Sequence, residues 1–141
     1  MSNSPPPHLP IKPQNYRPDP VPISAYGDYG FRFDDMSHKG HMMITPLGMY
    51  AWHIPYDVDE KGIENLTWDY FMPWLADFQQ SDVVLLGMGK HPWHFPTTLR
   101  KAFQDHDIFI EVMDSGAAVR SYNVLLQEGR QFSATFIAVE R

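Results

Sequence analysis

Apolar positions along this chain recur at two periods, and their succession predicts the architecture. Short apolar pieces at residues 23–26 and 31–33 flank Gly27-Asp28-Tyr29-Gly30, whose glycines and aspartate mark a tight turn. Residues 40–45 and 49–54 read as two strands, joined through Thr45-Pro46-Leu47-Gly48 with proline second and glycine fourth. This opening predicts antiparallel hairpins. Over residues 67–78 the period lengthens: Tyr70, Trp74 and Phe78 recur at helical spacing, with Phe71 and Leu75 on the same face. Thr67 suits the N-cap and Asp69 the first turn, whereas Pro73 removes a backbone donor and predicts a kink or a late start.

Beyond that point strand and helix alternate. Residues 83–88 form a near-continuous apolar run, as in a strand buried on both faces. Residues 96–106 predict a helix with Pro96 at its first turn and Leu99 and Phe103 on one side. Residues 108–113 predict a strand. Residues 115–128 predict a helix with Ala118, Tyr122, Leu125 and Leu126 on its buried stripe, stopped by Gly129. A last strand is expected over 132–139. The fold class is therefore α/β, a three-layer mixed sheet with N-terminal antiparallel hairpins followed by alternating helices and strands.

Composition adds a boundary. Eight prolines, at 5, 6, 7, 10, 13, 18, 20 and 22, precede residue 23. Proline fixes φ and lacks an N–H, so residues 1–22 are expected as an extended, solvated tail, lying on the domain or free of it, that adds little to stability; the functional alternative is a ligand for a proline-binding module. Residues 23–141 are expected as a single domain, and a 43% hydrophobic chain of 141 residues can build its core. A net charge of -6 gives no electrostatic reason to approach nucleic acid or anionic lipid. The chain has no cysteine, which removes disulfides, thiolate metal sites and cysteine nucleophiles. The run Val83-Val84-Leu85-Leu86 is far short of the roughly 20 residues that span a bilayer, and no secretory or transit signal is visible. The expected location is the cytoplasm.

Two turns are candidates for chemistry because each follows a strand and precedes a helix: Gly87-Met88-Gly89-Lys90 and Asp114-Ser115-Gly116. If the strands before them are parallel neighbours, both turns share the carboxyl edge where open α/β sheets bind ligands. Ser115 and Gly116 would then offer helix N-terminal N–H groups to a small anion. Gly89 would allow close approach of the backbone, Lys90 would supply charge, and Arg120 could point the same way. Asn123 could face a partner or pin a neighbouring loop. The bland alternative is that the glycines permit tight turns and Asp114 caps a helix. No phosphate-loop or dinucleotide motif is present. Ser115 lacks the Gly-x-Ser-x-Gly elbow because residue 113 is Met, so no catalytic residue is assigned. The pairs His38-x-x-His41 and His91-x-x-His94 have no acidic residue completing a zinc motif, and no metal or cofactor is assigned.

These residues together resemble a domain-of-unknown-function family (domain of unknown function 498) whose animal members include a mitochondrial NADH dehydrogenase (complex I) assembly factor. The resemblance spans roughly residues 23–139. Its Gly-Asp-x-Gly-Phe turn is matched by Gly27-Asp28-Tyr29-Gly30-Phe31, its His-x-Gly by His38-Lys39-Gly40, and its Leu-x-Gly-x-Gly by Leu86-Gly87-Met88-Gly89. The most specific run is Met113-Asp114-Ser115-Gly116-Ala117-Ala118-Val119-Arg120-Ser121-Tyr122-Asn123-Val124-Leu125. Ser115 and Met88 stand where the family often carries threonine. The resemblance implies a bacterial member, a three-layer mixed-sheet domain, and no established reaction, cofactor or catalytic residue. The functional expectation is a non-enzymatic binding or assembly-helper domain acting through a protein partner. The alternative is a small-molecule or anion-binding enzyme using the Gly87–Lys90 and Asp114–Arg120 edge.

Overall fold

The computed structural model describes residues 12–55 and 62–140. The first half of the proline-rich stretch, residues 1–11, lies outside the described residues, as does Arg141. Strands β1 (Ile23–Gly27), β2 (Gly30–Phe33) and β3 (Met36–Lys39) form an antiparallel three-stranded sheet in that order. Then follow β4 (Met42–Thr45), β5 (Gly48–Ala51), α1 (Leu75–Gln79), β6 (Val84–Gly87), α2 (Thr97–Asp105), β7 (Ile110–Met113), α3 (Ser115–Gln127) and β8 (Ser133–Phe136). The second sheet has five strands in the order β5-β4-β8-β6-β7. Its β8, β6 and β7 run parallel, and β4 is antiparallel to both β5 and β8. The expected mixed sheet is found.

Alternation along the central strands sorts the core into two layers. Met43, Val84 and Leu86 face one side, against Trp52, Phe71, Trp74, Phe78, Leu99 and Phe103. Met42, Ile44, Leu85, Ala134 and Phe136 face the other, against Ala118, Val119 and Tyr122 of α3 and Ile23, Phe31 and Phe33 of the small sheet. Burying both faces explains why β6 and β8 read as unbroken apolar or small-residue runs.

The β1–β2 turn places Asp28 and Tyr29 at φ 51° and 57°, the left-handed pair of a two-residue hairpin turn whose twist matches its strands. The C-terminal segment secures it, because the amides of Asp28 and Tyr29 donate to the carbonyls of Glu140 and Val139. Strand β3 was not expected. Met36-Ser37-His38-Lys39 carries no apolar alternation, and only pairing with β2, Phe33 opposite Met36, makes it a strand. The strand expected from residue 40 accordingly begins at Met42.

Residues 67–78 correct a second expectation. In place of one helix they form short 3-10 turns at Trp68–Tyr70 and Met72–Trp74, and α1 starts only at Leu75. Thr67 makes no side-chain cap bond. Pro73 has no N–H to donate. The Tyr70 carbonyl, which an α-helix would offer to the Trp74 amide, instead accepts the Trp52 indole N–H at 2.8 Å. The Trp74 amide turns to Phe71. The late start that proline predicted is observed. The aromatic face survives, since Phe71, Trp74 and Phe78 are all buried.

Residues 12–22 lie on the domain and are tied to it by hydrogen bonds. Lys12 Nζ reaches the buried Asp77 carboxylate at 2.9 Å. Tyr16 and Arg17 exchange backbone hydrogen bonds with Met49, which covers the outer edge of β5. The Val21 carbonyl accepts the Tyr122 hydroxyl at 2.7 Å. The strap thus runs from the α1 layer, around the sheet edge, to the α3 layer.

Candidate functional site

Parallel pairing of β6 with β7 brings the two strand-end turns together, as the sequence pattern suggested. The Met88 amide donates to the Met113 carbonyl at 2.8 Å, and the Ser115 amide donates to the Gly89 carbonyl at 2.9 Å. Ser115 is fully buried between them. Its hydroxyl accepts the Gly89 amide at 2.9 Å and donates to the Ile137 carbonyl at 2.6 Å. The Ile137 amide closes the circuit on the Gly87 carbonyl at 2.8 Å. Ser115 therefore spends its hydroxyl joining β6, α3 and the end of β8. The Ser115 hydroxyl does not point outward.

Asp114 and Asn123 are likewise engaged within the chain. Asp114 caps α3, its carboxylate accepting the Ala117 amide at 2.8 Å. Asn123 clamps β1 from both ends of its amide: Oδ1 accepts the Ile23 N–H and Nδ2 donates to the Ile23 carbonyl, each at 2.9 Å. Those two bonds pin a neighbouring strand. Gly87 has no room for a side chain, because a Cβ there would lie 2.8 Å from the Ala118 methyl and 3.1 Å from the Thr135 carbonyl oxygen. At Gly116 a Cβ would run into the Tyr26 hydroxyl, so β1 roofs the start of α3, the place considered for a small anion. Lys90 and Arg120 remain exposed, and no ion pair joins either to Asp114 among the described residues.

The histidine pairs are held apart in role. His38 accepts the Tyr16 hydroxyl at Nδ1 and donates from Nε2 to the His41 carbonyl, a neutral tautomer whose pKa burial pushes down. His41 Nδ1 accepts the Ala138 amide. His91 and His94 share an exposed loop with Trp93, and Glu64 stands 3.8 Å from His94 Nδ1. Among the described residues no three His, Asp or Glu side chains converge to hold a metal ion.

An open groove of about 480 Å³ lies on the small sheet, lined by Tyr26, Asp28, Arg32, His38, Lys39 and Glu140 among others. Sequence reasoning did not find it, because its lining comes from three short strands and the far C-terminal end. Tyr26 was likewise missed; only its sheet brings it over α3. Among the described residues no helix is long and apolar enough to cross a membrane.

Such an arrangement defines a three-layer α/β domain whose strand-end turns are closed by its own chain. The chain belongs to the family described as protein of unknown function (DUF498/DUF598), whose model matches residues 23–137. An uncharacterized protein of Rhodobacter capsulatus is 31% identical over 83% of this chain and 84% of its own length. The NADH dehydrogenase [ubiquinone] 1 alpha subcomplex assembly factor 3 of Rattus norvegicus is 24% identical over 88% of this chain, a match that spans 64% of the rat protein. Among solved structures, a Bartonella henselae chain described as an outer membrane protein superposes with a TM-score of 0.75 at 36% identity, covering 87% of this chain and 98% of that one. A Rhodopseudomonas palustris protein superposes at 0.68 with 28% identity, covering 97% and 91%.

Proposed function

We propose that this domain is a binding or assembly-helper module of the cytoplasm that holds a protein partner without turning over a substrate, in the biogenesis of a respiratory complex. The observation that carries this reading is the closed carboxyl edge. Catalysis at an open α/β sheet needs a nucleophile or base and an oxyanion donor converging on free space. Here Ser115, Asp114, Asn123 and the Gly89 amide are consumed by internal bonds, and Tyr26 roofs the helix start. The likeness to the rat assembly factor supports the direction of the proposal.

The test is affinity capture of the full chain from its native host, scored by mass spectrometry, alongside native-gel analysis of respiratory complexes in a strain lacking the gene. Recovery of a respiratory subunit or a second assembly protein, with incomplete complexes in the deletion strain, is expected. Lys90→Ala and Arg120→Ala probe the enzyme alternative. If both leave partner recovery intact but abolish conversion of a metabolite found by unbiased screening, the assembly reading fails.

A further inference from the structure

The five-stranded sheet has two edges, and the chain treats them differently. The β5 edge is covered by residues 16–17 through backbone bonds to Met49. At the opposite edge, β7 pairs only with β6 among the described residues. The carbonyls of Phe109 and Met113 turn toward β6, where they accept the Val84 and Met88 amides. By alternation, the peptide groups of Ile110 and Val112 turn outward with no ladder partner. The strand is short and carries one charge, Glu111, but Ile110–Met113 holds no proline, bulge or lysine to blunt the edge further.

The side-chain surroundings say what would pair there. Ile110 and Val112 are only partly buried against one core layer, and Met113 only partly against the other. Helix α3 packs on β6 and β8, leaving Phe109, 64% exposed, and Glu111 open on its own side of β7. Around the strand, Asp105, Asp107, Glu111 and Asp114 are all exposed, and residues 105–114 contain no lysine or arginine. Asp105 is offset by Lys101, yet the edge keeps an acidic margin around an apolar centre.

We propose that β7 is a strand-addition site for an extended partner segment in which apolar residues alternate with lysine or arginine. Main-chain bonds to Ile110 and Val112 would supply affinity. Apolar side chains would cover Ile110 and Val112, and cations opposite Glu111 would supply specificity. A second copy of this chain is disfavoured, because it would set one acidic margin against another. The inference rests on the binding reading above and deepens it.

The probe is a synthetic peptide of about nine residues, long enough for an ordinary strand, alternating valine with lysine; the control replaces lysine with glutamate. In heteronuclear NMR the lysine peptide is expected to shift the amides of residues 109–113. Hydrogen-exchange protection should be gained at Ile110 and Val112. Binding should be at least about tenfold tighter than for the glutamate peptide, and salt should weaken it. Glu111→Lys should reverse the preference, and Val112→Pro, which removes one outward N–H, should abolish binding. If Val112→Pro does not fold, the surface change Glu111→Lys still decides. Equal or undetectable binding of both peptides, shifts confined to other elements, or concentration-dependent dimers joined through β7 would each overturn the proposal. If the wild-type chain and Glu111→Lys capture the same native partner equally, the edge is wrong while the binding function stands. If the peptide binds at β7 but the wild-type chain captures nothing, the edge stands and the assembly reading falls.

Discussion

Replacing Lys12 by alanine tests whether the proline-rich strap belongs to the folded unit. The Asp77 side chain is 2% exposed and that of Lys12 is 34% exposed, with Nζ 2.9 and 3.2 Å from the two carboxylate oxygens. Asp77 also accepts the Thr45 hydroxyl at 2.7 Å, and Lys12 lies 5.4 Å from the Tyr50 ring centroid. At this separation and an effective dielectric of about 20, the gross Coulomb attraction is about 6 kcal/mol. Much of it offsets desolvation, and water reaching the lysine end screens more, so the net loss expected is about 1–3 kcal/mol. For a domain of this size that corresponds to a fall in Tm of about 3–15 °C. Urea and thermal unfolding followed by tryptophan fluorescence will measure it. A double-mutant cycle with Asp77→Asn should show the double variant losing less than the two single losses combined. A chain beginning at Pro22 should lose more than Lys12→Ala, since Tyr122 then also lacks its acceptor at Val21. A change within about 1 °C for both the point variant and the truncation would refute this reasoning and restore the solvated tail.

Asp114→Ala removes the α3 cap and should cost about 0.5–2 kcal/mol by urea denaturation. Tyr122→Ala, at a fully buried ring, should cost about 3–5 kcal/mol. Gly87→Ala forces a methyl between Ala118 and the Thr135 carbonyl and should cost about 1–3 kcal/mol, although alanine is usually harmless in a strand. His38 has its pKa lowered by burial, so the unfolded chain takes up its proton first as pH falls. Stability should therefore be full above the ordinary histidine value, about 6.5, and decline as pH drops from there to the depressed folded value. Urea midpoints at a series of pH values should show this decline reduced in His38→Gln.

The sequence pattern was most informative where one residue's local chemistry suffices. The Gly27–Gly30 turn, the β6 run, the α2 face with Leu99 and Phe103, and the α3 cap at Asp114 all appear where expected. The stop at Gly129 does too, with φ +70° and bonds back to Leu126 and Leu125. Elements set by distant partners were less visible. Strand β3 exists because β2 templates it, and the 3-10 turns after Thr67 exist partly because Trp52 takes a carbonyl from Tyr70.

The candidate edge divides along the same line. That Gly87–Lys90 and Asp114–Gly116 would meet followed from strand order and parallel pairing, both readable in alternating strands and helices. Whether the edge would be open did not follow. It depended on Ile137 and Tyr26, 22 residues after and 89 residues before Ser115, arriving at the same place. The strap gave the same lesson in reverse: its prolines said extended, and only Asp77, Met49 and Tyr122 decided that extended chain would be held. Local propensity acts over a few residues through sterics and capping, so the chain alone determined most of its elements and their order, but neither β3 nor the 3-10 turns after Thr67. Closure of the edge and docking of the strap depend on hydrogen-bond partners far apart in sequence, and these exist only once the sheet has formed.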